Sequence, residues 1–257
     1  MKYFSLLLLL MFAGFSSWSA TNPKLQGSYR ENKAGWVFVH LQGSPADIGY
    51  QEGYLLSNEI DDGIRAEEYM LLHTTGKDWN WYRNVSKRMM WDKVPKEYQV
   101  EMSAMAAGMR AKGKKEDVWD VLALNASTEI SGYYLPMLEN EEHPGLGDNK
   151  APANCSAFIA TGSYTKDGKI VMGHNCWTDY MTGERYNVIV DIVPEKGYHI
   201  MMDIYPGFID SGDDFAENSA GILITETTIV QFKGFDTTGI PEFVRARETE
   251  QYANSIN

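Results

Sequence analysis

The sequence predicts an α+β protein, with helices concentrated in residues 21–138 and strands in residues 155–257. In the first part, apolar residues recur every three or four positions, as they do on one face of a helix. In the second part, short apolar runs alternate with turns that contain Gly or Pro, as in antiparallel strands. Hydrophobic residues make up 44% of the 257 residues, which is enough for a packed core.

Residues 1–20 are typical of a secretory signal peptide. Lys2 supplies a positive charge, an apolar run follows, and Ser17 to Ala20 provides small residues for cleavage. The apolar run is too short to span a membrane. We therefore expect an exported protein, secreted, periplasmic or lumenal, with no integral membrane association.

Charge and motif content exclude several classes of function. The net charge of −12 argues against a nucleic-acid partner, because phosphate binding needs a basic surface. The sequence has no His-Glu-x-x-His or Cys-x-x-Cys pattern and no phosphate-binding loop. We therefore expect no metal and no cofactor, and a small-molecule substrate.

The first helix of residues 21–138 is marked by its capping residues. A strand is predicted at 36–41, and Ser44 then caps a helix in which Pro45 takes the first position and Asp47 completes a capping box.

Two further helices are predicted, one beginning at Pro95 and one spanning about 116–130. The first of these carries an apolar stripe of one tyrosine and three methionines, which is more typical of a core than of a binding surface. The stripe comprises Tyr98, Met102, Met105 and Met109.

Residues 139–154 are charged, rich in Gly and Pro, and without periodicity. This pattern predicts a surface linker, where cleavage of the chain is tolerated. Strands then follow, predicted as an antiparallel meander, and a helix starts at Pro241 and is expected to continue to Asn257, where the sequence stops. The predicted strands are 155–161, 170–177, 186–193, 198–204 and 221–230.

Cys155 stands at the first position of a predicted strand, directly after the linker, and Cys176 is the other cysteine. In an exported protein such a pair is either a structural disulfide or a pair of thiols kept for chemistry. If the Asn154–Cys155 bond breaks, the new α-amino group of Cys155 lies beside its own thiol and can act as the base. One residue then supplies both nucleophile and base.

The second strand brings His174, Asn175 and Trp177 toward the same end of the hairpin. A loop over 163–167, centred near residue 165, would place His174 or Asn175 opposite Cys155. Because side chains alternate along a strand, His174 and Trp177 cannot both face the thiol from a regular strand. A bulge or a strand end near Cys176 is therefore expected.

These residues carry a family resemblance. Asn-Cys-Ser-Ala at 154–157 followed by Gly-His-Asn-x-Trp at 173–177 resembles the phospholipase B-like family of N-terminal-nucleophile (Ntn) hydrolases. Segments 43–53, 206–215 and 221–228 resemble the same family. A looser similarity extends to penicillin acyltransferase and acid ceramidase relatives. The resemblance covers most of the chain from about Gly35.

The resemblance implies an αββα sandwich, with two antiparallel sheets between helical layers. It implies that Cys155 is the nucleophile, that His174, Asn175 and Trp177 border the site, and that Thr227 or Thr228 reaches it from a strand end. It also implies that the C-terminal part is incomplete, because relatives continue further. The implied enzyme is a secreted hydrolase, self-processed at Asn154–Cys155, that cleaves an acyl ester of a lipid or a non-peptide amide through a thioester.

Two other interpretations stay open. Cys176 stands where the family usually has a hydroxyl residue, so a Cys155–Cys176 disulfide in a non-catalytic exported binding protein is one alternative. An inactive fragment is the other. Two further polar groups, Asn218 and Asp213-Asp214, are better explained as turn residues than as site residues.

Overall fold

A computed structural model of the chain describes residues 22–142, 155–212, 215–227 and 234–256. These residues form a mixed α+β structure in which helices pack on one six-stranded sheet and a two-stranded sheet stands apart. In chain order the elements are β1 (Tyr29–Lys33), β2 (Trp36–Gly43), α1 (Pro45–Leu55), α2 (Ser57–Thr75), α3 (Trp79–Met89), α4 (Lys96–Ala111), α5 (Val118–Glu129), a π-helical turn (Ile130–Tyr134), α6 (Leu135–Glu142), β3 (Ser156–Gly162), β4 (Gly168–Asn175), α7 (Tyr180–Gly183), β5 (Val188–Pro194), β6 (Ile200–Ile204), β7 (Ala216–Asn218), β8 (Leu223–Ile224) and α8 (Glu242–Tyr252).

Helix α1 begins with the predicted capping box. The Ser44 hydroxyl accepts the backbone N–H of Asp47 at 3.3 Å, and the Asp47 carboxylate accepts the backbone N–H of Ser44 at 3.1 Å. Further along, α1 lies directly against α4, because Gly49 and Gly53 have no side chains to hold the helices apart. A Cβ on Gly49 would come 2.0 Å from the carbonyl oxygen of Glu101. This contact seats α4 with its predicted methionine stripe in the core, where all four stripe residues are at most 1% exposed.

The six-stranded sheet has the order β1-β2-β5-β6-β7-β8. The predicted antiparallel meander is present in β5 to β8. Strand β2, however, pairs in parallel with β5, from Val37 opposite Val188 to Gly43 opposite Pro194. Within the described residues 221–227, the strand predicted at 221–230 is present only as β8, and β7 is an additional strand. One sheet therefore contains strands from both sides of the predicted linker.

The sheet buries one face against the helices. Val39 of β2, Val190 of β5 and Met202 of β6 lie on that face and are at most 2% exposed. The opposite face carries polar residues, and there Asp191 contacts two histidines. Nδ1 of His40 lies 2.7 Å from Oδ2 of Asp191, and His199 contacts the other carboxylate oxygen. Asp191 is a partner of both histidines that the sequence did not reveal.

Helix α8 is fixed to α4 by a buried ion pair. Arg247 donates to the two carboxylate oxygens of Glu101 at 3.0 and 3.2 Å, and both side chains are at most 2% exposed. Arg247 also donates to the carbonyl of Ile209. Breaking one member of a buried pair leaves an uncompensated charge, which costs several kcal/mol. The pair therefore ties the last helix to the first half of the chain.

Two predicted boundaries differ from the structure. Helix α6 extends to Glu142, four residues into the segment predicted as linker, and residues 143–154 lie outside the described residues. Helix α8 ends at Tyr252, where Ala253 leaves the helical conformation, although the sequence predicted a helix through Asn257.

Candidate active site

The β3–β4 hairpin sets the position of Cys155. Next to its loop, Gly162 pairs with Gly168, which centres the hairpin at residue 165 as predicted. A bulge between Ala160 and Gly162 then shifts the register by one residue, so that Ser156 pairs with Asn175. If the ladder continued, Cys155 would stand opposite Cys176.

The predicted pairing of Cys155 with His174 or Asn175 is therefore wrong, because the bulge intervenes. His174 stands opposite Ala157. Alternation still gives Cys155, His174 and Cys176 the same face of the hairpin. Strand β4 ends at Asn175, which agrees with the strand end expected near Cys176.

Cys155, Cys176 and Trp177 all line one cleft of about 800 Å³. No disulfide joins Cys155 to Cys176. The thiol of Cys155 is half-buried, whereas Trp177 is 63% exposed at the rim. The other walls come from α5, α7, the segment before β7, the end of β8, and α8.

A short loop after β6 forms the inner wall of the cleft. The amide of Asn125 on α5 donates to the carbonyl of Gly207 at 2.8 Å and accepts the N–H of Ile209 at 2.8 Å. Gly207 has a φ of +95°, and a Cβ there would meet Leu124 at 3.0 Å. Only glycine fits such a conformation at so close a contact without strain.

Two carboxyl groups lie side by side in this wall, Asp210 on the loop and Glu250 on α8. Glu250 accepts the backbone N–H of Ser211 at 3.0 Å, and Asp210 accepts that of Gly212 at 3.3 Å. Burial, and then the neighbouring Glu250 and Glu242, raise the pKa of Asp210 well above its ordinary range. Burial raises the pKa of Glu250 to about 7, against the opposing effects of the Ser211 N–H and Arg247.

A second cavity of about 390 Å³ adjoins the cleft and shares Asp179 and Tyr186 with it. It lies between α2 and the π-helical turn, a type of element that is frequent at functional sites. Glu67 belongs to its lining, and burial raises the pKa of this carboxyl to about 7. The cleft thus has a side chamber with a carboxyl group in its wall.

Of the predicted site residues, the structure brings Cys155 and Trp177 into the cleft lining. His174, Asn175 and Thr227 are not part of that lining. The end of β8 contributes Thr225 and Glu226 instead. Asn154, Thr228 and Asp213-Asp214 lie outside the described residues.

Sequence reasoning missed the carboxyl groups of the cleft and Asn125. Asp210 lies within the Gly- and Asp-rich segment that carries part of the resemblance, but its burial depends on α8 packing behind it. Asn218, interpreted as a turn residue, is indeed structural, since its side-chain oxygen Oδ1 accepts the backbone N–H groups of Ala220 and Ile222.

The sequence is similar to known proteins over most of its length. Residues 47–238 match the phospholipase B family, a range that includes the hairpin, the cleft loop and helices α2 to α6. The chain therefore belongs to the phospholipase B family. An uncharacterized protein of Archaeoglobus fulgidus is 27% identical over an alignment of 278 positions, which covers 100% of this chain and 44% of that protein. The chain thus spans less than half the length of this relative.

Two general features bear on the chemistry. No group of three or more His, Cys, Asp or Glu side chains in the described part of the chain is arranged to hold a metal ion. None of the helices among those same residues has both the length and the apolar character needed to cross a membrane.

Proposed function

We propose that this protein is an exported cysteine hydrolase of the N-terminal-nucleophile type, which cleaves itself at Asn154–Cys155 and then hydrolyses an acyl ester or a non-peptide amide. The observation that carries the proposal is the position of Cys155. It immediately precedes β3, lines the large cleft, and follows the segment predicted to tolerate cleavage. Membership of the phospholipase B family makes an acyl ester of a lipid the first candidate substrate.

Self-cleavage would use the thiol of Cys155 on its own preceding peptide bond. Sγ attacks the carbonyl carbon of Asn154, the C–N bond breaks, and the amide nitrogen takes a proton to become the α-amino group of Cys155. Water then hydrolyses the thioester, which leaves a carboxylate on Asn154 and restores the thiol. The new amine has an ordinary pKa of about 7.7–8.0, so it is partly unprotonated at neutral pH and can act as a base.

Turnover would repeat the same chemistry on the substrate. The α-amine accepts the thiol proton while Sγ attacks the acyl carbonyl, and the amine then passes that proton to the leaving alcohol or amine. Water attacks the thioester, gives up a proton to the α-amine, and releases the carboxylic acid. Hydrogen-bond donors aimed at the developing oxyanion supply much of the catalysis in such reactions. Among the residues that line the cleft, Trp177 is the one nearest in sequence to Cys155 whose side chain carries an N–H donor.

The apolar part of the cleft suits an acyl chain. Trp177, Phe208, Ile224 and Phe243 contribute to the lining, and each buried CH₂ group of a ligand contributes about 0.8 kcal/mol. The chain begins with a segment typical of secretory signals, which supports an exported protein that meets its substrate outside the cytoplasm.

The deciding experiment combines intact-mass analysis, N-terminal sequencing and turnover of a short-chain acyl ester on the purified chain. We expect a new N-terminus at Cys155 and turnover that depends on it. Cys155→Ala should abolish both. Turnover by a chain whose Asn154–Cys155 bond is intact would contradict the mechanism.

One structural relationship favours a rival. Continuation of the β3–β4 register places Cys176 opposite Cys155, and residues in that relationship are close enough for a disulfide. A stapled hairpin would fit a non-catalytic binding protein. Thiol titration of the unfolded, unreduced chain separates the two functions, since two titratable thiols support the enzyme and none supports the staple.

A further inference from the structure

Asp210 and Glu250 form a pair of carboxyl groups that the proposed chemistry does not use. They are 5% and 1% exposed, and both belong to the cleft lining. Each accepts one backbone N–H through one oxygen. The other oxygens, Oδ1 of Asp210 and Oε2 of Glu250, have no hydrogen-bond partner among the described residues. Unsatisfied buried acceptors are costly, so the wall of the cleft is set to receive a donor.

The rest of the cleft lining is also rich in hydrogen-bond acceptors and carboxyl groups. The described residues around the cleft include five carboxyl side chains, Asp179, Asp210, Glu226, Glu242 and Glu250, and one basic side chain, Arg245. In the side chamber, the hydroxyl group of Thr74 donates to the backbone carbonyl of Met70, and its oxygen can still accept a hydrogen bond. Such a surface favours a cationic ligand over an anionic one.

We propose that the cleft selects substrates that carry a primary ammonium group, and that Asp210 and Glu250 bind this group. This inference rests on the proposed function, because the ammonium group is taken to be part of the acyl substrate, on either its acyl group or its leaving group. A primary ammonium has three N–H donors, so it can donate to both unsatisfied oxygens and has one donor left for another acceptor. A quaternary ammonium has none, and a bare metal ion lacks a third side-chain ligand in the described residues.

Binding should exchange a proton for the ligand. Burial raises the pKa of both carboxyl groups, and repulsion by Glu250 raises that of Asp210 further. Glu242 adds to the repulsion at Asp210, whereas Arg247 and the Ser211 N–H favour ionised Glu250. The free pair therefore retains a proton near pH 7, and an ammonium ligand replaces it.

The first test uses hexylamine, hexan-1-ol and hexyltrimethylammonium on the wild-type chain. None has an acyl bond, so binding is read by calorimetry without turnover. We expect hexylamine to bind at least about tenfold more tightly than hexanol, in line with hydrogen bonds to charged groups, and more tightly than the quaternary ion. Titrations at pH 7 in two buffers of different ionisation enthalpy should show release of up to about one proton per hexylamine.

The second test uses the double variant Asp210→Asn with Glu250→Gln. Each new amide oxygen can still accept the backbone N–H, so the loop contacts are retained. We expect loss of the preference for hexylamine over hexanol. Glu248→Gln, on the same helix but outside the cleft lining, is the matched control and should keep the preference. If the double variant does not fold, Asp210→Asn alone is used.

Equal binding of hexylamine and hexanol by the wild type, or a preference that survives in the variant, would overturn the inference. Tighter binding of hexyltrimethylammonium would do the same, because it assigns the selectivity to the aromatic side chains. Failure of the proposed function has a different signature, since the amine would then bind selectively while acyl esters remain uncleaved.

Discussion

Ile209 donates its backbone N–H to the side-chain oxygen of Asn125 at 2.8 Å, across a sequence separation of 84 residues. The same side-chain amide donates to the carbonyl of Gly207. One side chain on α5 therefore pairs with both a backbone carbonyl and a backbone N–H of the loop behind the cleft. The loop also carries Asp210. These hydrogen bonds from α5 therefore fix the position of the loop that forms the cleft wall.

Asn125→Leu should destabilise the protein because it leaves a buried N–H and a buried carbonyl unsatisfied. We expect a loss of about 2–4 kcal/mol in the free energy of unfolding, measured by urea denaturation. Asn80→Leu is the control on the exposed side of α3, where a change within about 0.5 kcal/mol is expected. If Asn125→Leu lowered the free energy of unfolding by as little as the Asn80→Leu control changes it, other contacts would hold the loop.

Cys176→Ser should preserve the fold and most of the turnover, in contrast to Cys155→Ala. Serine is nearly the same size and resembles the hydroxyl residue usual at this position of the family. The comparison needs melting and turnover of both variants with and without reductant. Equal destabilisation by the two substitutions, reproduced by reductant in the wild type, would establish the disulfide interpretation.

His174→Gln should lower turnover by on the order of 10²-fold, because the imidazole is expected to orient the acyl carbonyl or to hydrogen-bond the α-amine that acts as the base. His174 lies diagonally across the hairpin from Cys155, on the same face. The melting measurement should show a loss of no more than about 1 kcal/mol, because a half-buried polar exchange opens no core cavity. A variant that melts early but keeps its activity per folded molecule would make His174 structural.

Stability should fall as pH rises from 5 to 8. Burial raises the pKa of Glu52 to about 8 and those of Glu67 and Glu250 to about 7, all from an ordinary value of 4.5. The folded protein then binds more protons than the unfolded chain, so the stabilisation is complete below pH 4.5 and is lost as pH rises through 7 to 8.

A shift of one pKa unit corresponds to about 1.4 kcal/mol, so even one such group contributes a loss of about 3 kcal/mol over this interval. Urea titrations at pH 5 and 8 measure it. Glu250→Gln should reduce the difference between the two pH values, whereas Glu248→Gln should not. A flat profile in the wild type would show that these carboxyl groups ionise normally.

Local features of this fold were predictable from the sequence because their causes are local. The Ser44–Asp47 capping box and the methionine stripe of α4 depend on residues within one or a few turns. The centre of the hairpin at residue 165 was predictable for the same reason. The bulge at Ala160 to Gly162 was not predicted, although Gly162, with a φ of +60°, is the type of residue that many such bulges contain.

The composition of the cleft depended on contacts between distant segments. Asp210 and Glu250 are separated along the chain and meet because several contacts hold α8 beside the loop. Among them are the Arg247–Glu101 pair and the hydrogen bond from the Asn218 side chain to the carbonyl of Glu250. Thr227 was expected at the cleft from the resemblance, but β8 ends at Ile224, so Thr225 occupies the lining instead. The hydrophobic periodicity of the sequence does not predict such contacts between distant segments.

The parallel pairing of β2 with β5 joins segments from both sides of the Asn154–Cys155 bond. Seven residue pairs form this ladder, and the Arg247–Glu101 ion pair makes a second junction inside the core. Hydrolysis of one peptide bond removes neither. The two products would remain a noncovalent heterodimer, and separate polypeptides that end and begin at this bond should assemble by fragment complementation when they are produced together.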